Sequence, residues 1–173
     1  MLWKSVMTAQ AAEPLVHSHD VVVNRTSEGF TVDVDIVVAV PISTAWAVIT
    51  DFHNMARFIP NLTESQVLER KPDWARLHQK GYSRFGPFRF EFETTRDIQM
   101  TPETEMRSHG IAGNLKHFES ITRLTTVGDG TRLEYHVEAQ PNFWLPPLLG
   151  PLFVRDQTAE QFSALVGEMT RRR

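Results

Sequence analysis

The last stretch of the chain limits the fold most. Leu148, Leu152, Arg155, Ala159, Phe162, Val166 and Met169 recur at steps of three or four, the spacing of one helical face. That stripe is apolar apart from Arg155, so it must be buried against something. The sequence offers no second long helix to receive it. Residues 30–40, 62–69, 74–83, 88–98, 104–109, 115–126 and 131–140 read instead as about seven strands. The short run 21–23 can pair with the first of them as a hairpin bent near Gly29. Alternation supports several of these strands. Phe30, Val32, Val34 and Ile36 oppose Thr31, Asp33 and Asp35; Phe88, Phe90 and Phe92 oppose Arg89, Glu91 and Glu93. Leu133, Tyr135, Val137 and Ala139 share an inward face, leaving Arg132, Glu134, His136 and Glu138 to water. The set Trp74, Arg76, His78, Lys80 and Tyr82 against Ala75, Leu77, Gln79 and Gly81 leaves its inward face open. Short turns, with Gly128-Asp129-Gly130 the plainest, imply antiparallel neighbours. The fold class is α+β.

Between the first two long strands lies a block bounded by prolines. Ser43 reads as the N-cap of a short helix carrying Trp46, Val48 and Ile49. Asp51 interrupts it. A second short helix follows with Phe52, Met55, Phe58 and Ile59, and Pro60 stops it. Two such helices wedged between strands form one wall of a cavity.

The pattern Pro41-x-Ser43-x-x-Trp46-x-Val48-x-Thr50-Asp51-Phe52, followed by Met55-x-x-Phe58-Ile59-Pro60-Asn61-Leu62, resembles the START-like superfamily known as SRPBCC. Within it the chain is most similar to the polyketide cyclase/dehydrase family, which also resembles coenzyme-Q-binding proteins. The resemblance runs from about Phe30 to the C-terminus, through Gly130-Thr131-Arg132-Leu133-x-Tyr135 and Pro141…Leu145-Pro146. It implies a helix grip: a curved antiparallel sheet around the C-terminal helix, with a gap between them that serves as a ligand cavity.

A chain of 173 residues suits one domain. Residues 1–18 read as a mobile tail and 19–173 as a single START-like domain. Ala9-Gln10-Ala11-Ala12-Glu13 has the small residues of a signal-peptidase site, but residues 1–8 are too short for an apolar signal core and contain Lys4. A cytoplasmic location is therefore expected, with a periplasmic one if the start is a truncated export signal. Net charge is −3, and basic residues are not interleaved with aromatics, so nucleic-acid binding is not expected. Cysteine is absent, which removes disulfides, thiolate metal sites and a cysteine nucleophile.

Seven histidines raise the question of a metal. His17-Ser18-His19 lacks a third ligand nearby, and Asp51-Phe52-His53 is explained by helix capping, so no metal or cofactor is expected. Glu91 and Glu93, like Asp33 and Asp35, lie opposite apolar faces and belong in water. His78, Tyr82, His109, His117, Tyr135 and Arg155 are the polar groups with more potential. A buried tyrosine hydroxyl or guanidinium needs a partner, which a ligand or a structural bond can supply. No nucleophile elbow, phosphate loop, dinucleotide fingerprint or metalloprotease motif is present.

The expected ligand-binding set joins Phe52, Phe58, Phe90, Phe92 and Phe118 to His109, Tyr135, Arg155 and Phe162. Without a catalytic set, the first expectation is a protein that binds a lipid, quinone or polyketide-like aromatic as carrier or binding module. The alternative, implied by the resemblance, is an aromatase/cyclase in which Tyr135, His109 or Arg155 orients a reactive chain or shuttles a proton. A third expectation is contact with a membrane or partner through Phe143 and Trp144 in the segment 141–149.

Overall fold

A computed structural model describes residues 15–144 and 150–173. The strands are β1 (Val21–Arg25), β2 (Phe30–Val38), β3 (Leu62–Lys71), β4 (Trp74–Phe85), β5 (Phe88–Thr101), β6 (Glu105–Gly113), β7 (Leu115–Val127) and β8 (Gly130–Pro141). The helices are α1 (Ile42–Ile49), α2 (Met55–Phe58) and α3 (Gly150–Arg171), with a 3-10 turn at Phe52–Asn54. All eight strands form one antiparallel sheet in the order β1-β2-β8-β7-β6-β5-β4-β3. This is the expected α+β helix grip, with eight strands in place of about seven. The extra strand is the anticipated hairpin, in which Val21 faces Val34 and Arg25 faces Phe30.

Because the sheet bends around a single helix, its core splits in two. One cluster gathers Val32, Val34, Val48, Leu133, Phe162, Val166 and Met169 between β2, β8, α1 and α3. The other is smaller: Phe52, Ala75, Leu77, Ile98 and Met100, under β4 and β5.

Local details correct the sequence reading at two points. Ser43 does not cap α1. The N-cap is Pro41, whose carbonyl accepts the amides of Thr44 (3.0 Å) and Ala45 (3.1 Å). Its φ of −60° with an extended ψ of 151° launches the helix at Ile42. Nor does Asp51 cap the next turn with its side chain. Its carboxylate accepts from Asn54 Nδ2 (2.8 Å) and from Arg172 Nη2 (2.7 Å).

Of the expected tail 1–18, residues 1–14 lie outside the described residues. Val16 is packed into the larger core at 1% exposure. Its amide donates to Ser163 Oγ (3.0 Å), and that hydroxyl donates to the Val16 carbonyl (3.1 Å). Leu148, the first residue of the expected stripe, also lies outside the described residues.

The end of α3 is tied to the α1–α2 block by charge. Arg172 bridges Asp51 and Glu168, with Nε to Glu168 at 2.7 Å. Hydrogen bonds from Arg171 and Arg172 draw the Glu168 pKa from 4.5 to about 2. Burial alone would raise Asp51, but bonds from Arg172 and Asn54 bring it below its ordinary value. Carboxylates depressed in the fold bind fewer protons there than in the unfolded chain. Their contribution is present above the unfolded pKa and lost as pH falls toward the folded one. The urea unfolding midpoint should therefore drop between pH 4.5 and about 2, and Arg172→Gln should flatten that drop. An identical profile in wild type and variant would refute the assignment.

Candidate functional site in the sheet–helix cavity

The two cores leave a cavity of about 370 Å³ between them, inside the range of about 300–1,000 Å³ usual for ligand pockets. It is bounded by the inner sheet face, the Phe52–Met55 turn and α3. Of the expected set, Phe52, Phe92, Phe118, Tyr135 and Phe162 line it.

Four expected residues do not. Phe58 packs on the larger core, with the Arg172 guanidinium 5.7 Å above its ring. His109 points off the outer sheet face and bonds Glu119. Arg155 does not border the cavity: it is half-buried, 3.8 Å from Asp156, while α3 presents Val154, Gln157, Thr158, Gln161, Phe162 and Leu165 to the cavity. Phe90 sits at the mouth, stacked on Phe143 (5.8 Å) and tilted against Phe153 (6.0 Å). Phe88, expected inward with it, is 62% exposed. The β4–β5 hairpin overruns the sheet: β5 pairs with β4 from Phe88 onward but reaches β6 only at Thr94.

Strand β4 settles its own alternation. Ala75, Leu77 and Gln79 are buried, which puts His78 and Tyr82 on the outer face. His78 bonds Thr95 (2.9 Å) and lies 3.3 Å from Glu93. His117 is exposed, 4.0 Å from Glu138. Gly81 is required where it stands: a Cβ there would lie 2.3 Å from Phe92 Cζ and 2.5 Å from the Asn61 carbonyl oxygen. His17 and His19 stack at 5.1 Å. Among the described residues, no cluster of three or more His, Asp or Glu gathers that could hold a metal.

The residue that the sequence reading missed is Arg96. The inward phase of β5 runs Phe92, Thr94, Arg96, Ile98, and all four border the cavity. An arginine in that phase was the available signal. Its Nη2 donates to Gln79 Oε1 (2.5 Å). Gln79 Nε2 donates to Ser65 Oγ (3.0 Å), and Ser65 Oγ donates to the Phe52 carbonyl (2.5 Å). The relay thus ends on the backbone of the short turn. The guanidinium carbon lies 5.2 Å from the Phe118 ring centre. Among the described residues, Arg96 Nε is buried without a partner, as are the Ser108 hydroxyl and, away from the cavity, Arg155 Nε.

Among the described residues, no carboxylate pairs with Arg96. Burial pushes its pKa down, and nearby Tyr135 offsets part of that. Burial raises the Tyr135 hydroxyl, against the lowering influence of Arg96 and Ser120, so the phenol stays protonated at neutral pH. The cavity therefore joins greasy walls to one cationic, donor-rich pole.

The profile of the family described as polyketide cyclase / dehydrase and lipid transport matches residues 38–164. The chain belongs to this family. No curated protein matches it by sequence. Among solved structures it is similar to the Zhui aromatase/cyclase from Streptomyces sp. R1128, at 17% identity and TM-score 0.70 over 82% of this chain and 94% of that one. It is similar to a START superfamily protein from Mycobacterium smegmatis, at 15% identity and TM-score 0.70 over 83% and 99%. It also resembles a STAR-related lipid transfer protein from Xanthomonas axonopodis, at 11% identity and TM-score 0.68 over 87% and 99%. The likeness establishes the helix-grip fold, and the family is one that handles hydrophobic small molecules.

A buried charge with one neutral partner makes a sharp energetic expectation. Gln79→Met should cost about 1–3 kcal/mol, because it strips the guanidinium of its acceptor. Adding Arg96→Met should restore part of that loss. A denaturation double-mutant cycle with additive effects would show that the pair is not coupled.

Proposed function

We propose that this chain binds an elongated apolar molecule that ends in an acidic or carbonyl oxygen, and carries it with that oxygen on Arg96. The supporting observation is the enclosed guanidinium, with Nε unpartnered and no carboxylate beside it among the described residues. An unpaired buried cation is costly, and an incoming anion would relieve that cost while Phe52, Phe92, Phe118 and Phe162 cover the hydrocarbon. Burial of the chain supplies roughly 25 cal/mol per Å², and the pole sets orientation. Phe143, one of the two residues expected to make an outer contact, borders the same cavity.

A cyclase reading keeps support from one feature. Arg96, Gln79 and Tyr135 all border a single cavity, so a carbonyl on the guanidinium would sit in reach of a protonated phenol. His109 and Arg155, which do not line the cavity, have no part in it. Turnover of a poly-β-ketone that vanishes in Tyr135→Phe would favour this reading.

The carrier reading is tested by fluorescence displacement with a long-chain carboxylate and the matching alcohol. Arg96→Met should weaken the carboxylate roughly tenfold or more, as expected for loss of a charged hydrogen bond, and leave the alcohol little changed. Equal losses for both probes, or none, would sink the assignment of the pole.

A further inference from the structure

We propose that the mouth of the cavity docks on an anionic phospholipid bilayer, with Phe88, Trp144 and Leu152 as the inserting side chains. The rings of Phe90, Phe143 and Phe153 form one contact cluster there, and Phe143 and Phe153 also line the cavity. An exposed apolar side chain stands close in sequence to each member of that plug. Phe88 is 62% exposed two residues from Phe90, Trp144 is 73% exposed next to Phe143, and Leu152 is 46% exposed next to Phe153. They come from the β4–β5 hairpin tip, the segment just after β8 and the first turn of α3. Three separate elements therefore offer apolar tips at the opening of an apolar chamber, a grouping that marks a contact surface.

The charge at this end chooses the occupant. Strand register brings the β1–β2, β4–β5 and β6–β7 turns to the same edge as the end of β8. Arg25, Arg84, Arg89 and Lys116 are exposed there, with Glu28, Glu91 and Glu93 as the exposed carboxylates, the last beside Lys80 at 3.8 Å. Among the described residues, only Arg89 of the four is bridged, to Glu91 at 3.3 Å. The Arg84 and Arg89 guanidinium carbons lie 5.5 and 4.1 Å from the Tyr82 ring centre, on one face of the hairpin. A chain of net charge −3 thus collects cations around its exposed aromatics. Aromatics at headgroup depth flanked by arginines suit an anionic lipid surface. No helix among the described residues is long and apolar enough to cross a membrane, so the contact is peripheral.

The proposal takes its purpose from the hydrophobic-ligand reading but is measured apart from it, on full-length protein without added ligand. Sedimentation with phosphatidylcholine vesicles is compared with vesicles containing one quarter phosphatidylglycerol, at low and high salt. Wild type should bind the anionic vesicles, and salt should weaken the binding. Arg84→Glu/Arg89→Glu should cut it roughly tenfold or more, given the attraction each basic residue has for such a surface. Phe88→Ser/Trp144→Ala should abolish it and remove the blue shift of tryptophan emission, with unfolding midpoint and carboxylate-probe affinity unchanged. Absence of binding to either vesicle overturns the proposal. So does salt-sensitive binding that survives Phe88→Ser/Trp144→Ala, the result expected of a surface built for an acidic protein. Either failure leaves the Arg96 measurement standing.

Discussion

A sheet cannot bend fully onto a single helix, and the architecture follows from that constraint. Eight antiparallel strands offer more concave surface than α3 can cover. The apolar side chains settle into two clusters, one against α1 and α3 and one under β4 and β5. The space between them is lined by side chains from both sets. The short α1–α2 block limits its size, since the Phe52 turn sits on the smaller cluster and its carbonyl anchors the polar relay. The cavity is thus a result of topology, and its chemistry is set by which residues happen to fall on the inward phase.

At that point a single side chain changes the character of the chamber. Arg96 is fixed from one direction, through Gln79 and Ser65, and left open from the other. A carboxylate neighbour inside the protein would have neutralised it and made it structural. A neutral amide orients the guanidinium without cancelling its charge. The Phe118 face adds attraction without taking up a hydrogen bond.

Much of the framework was legible because it rests on local periodicity. The strand alternation of β2 and β8, the Gly128–Gly130 turn and the proline-bounded block all depend on near neighbours. The inward residues of β8 fell where expected because water faces one side of that strand and core the other. What failed depended on long-range geometry. Phe88 and Phe90 obey the β5 alternation, but the hairpin overruns the sheet and carries them to the mouth. Arg155 lies in the apolar stripe, yet α3 turns Gln157 and Gln161 inward instead, because a face beside a void need not be apolar. His109, expected in the ligand-binding set, sits on the outside. Arg96 escaped notice because a charged residue in a strand is ordinarily read as solvent-facing. Its phase, shared with Phe92 and Ile98, carried the information.

The attachment of α3 is uneven along its length. Val16 grips Ser163 near its middle through two reciprocal bonds, and Arg172 clasps Asp51 at its end. Its opening turns meet the sheet through Phe153, edge-on to Phe85 and tilted against Phe90, ring contacts that shift more cheaply than ionic bonds break. Among the described residues, the hydrogen-bond and ion-pair anchors of the helix thus lie in its far half, while its near half rests on apolar packing. A guest passing in or out would strain apolar contacts at the near end first, while the anchored half kept its registry with the sheet.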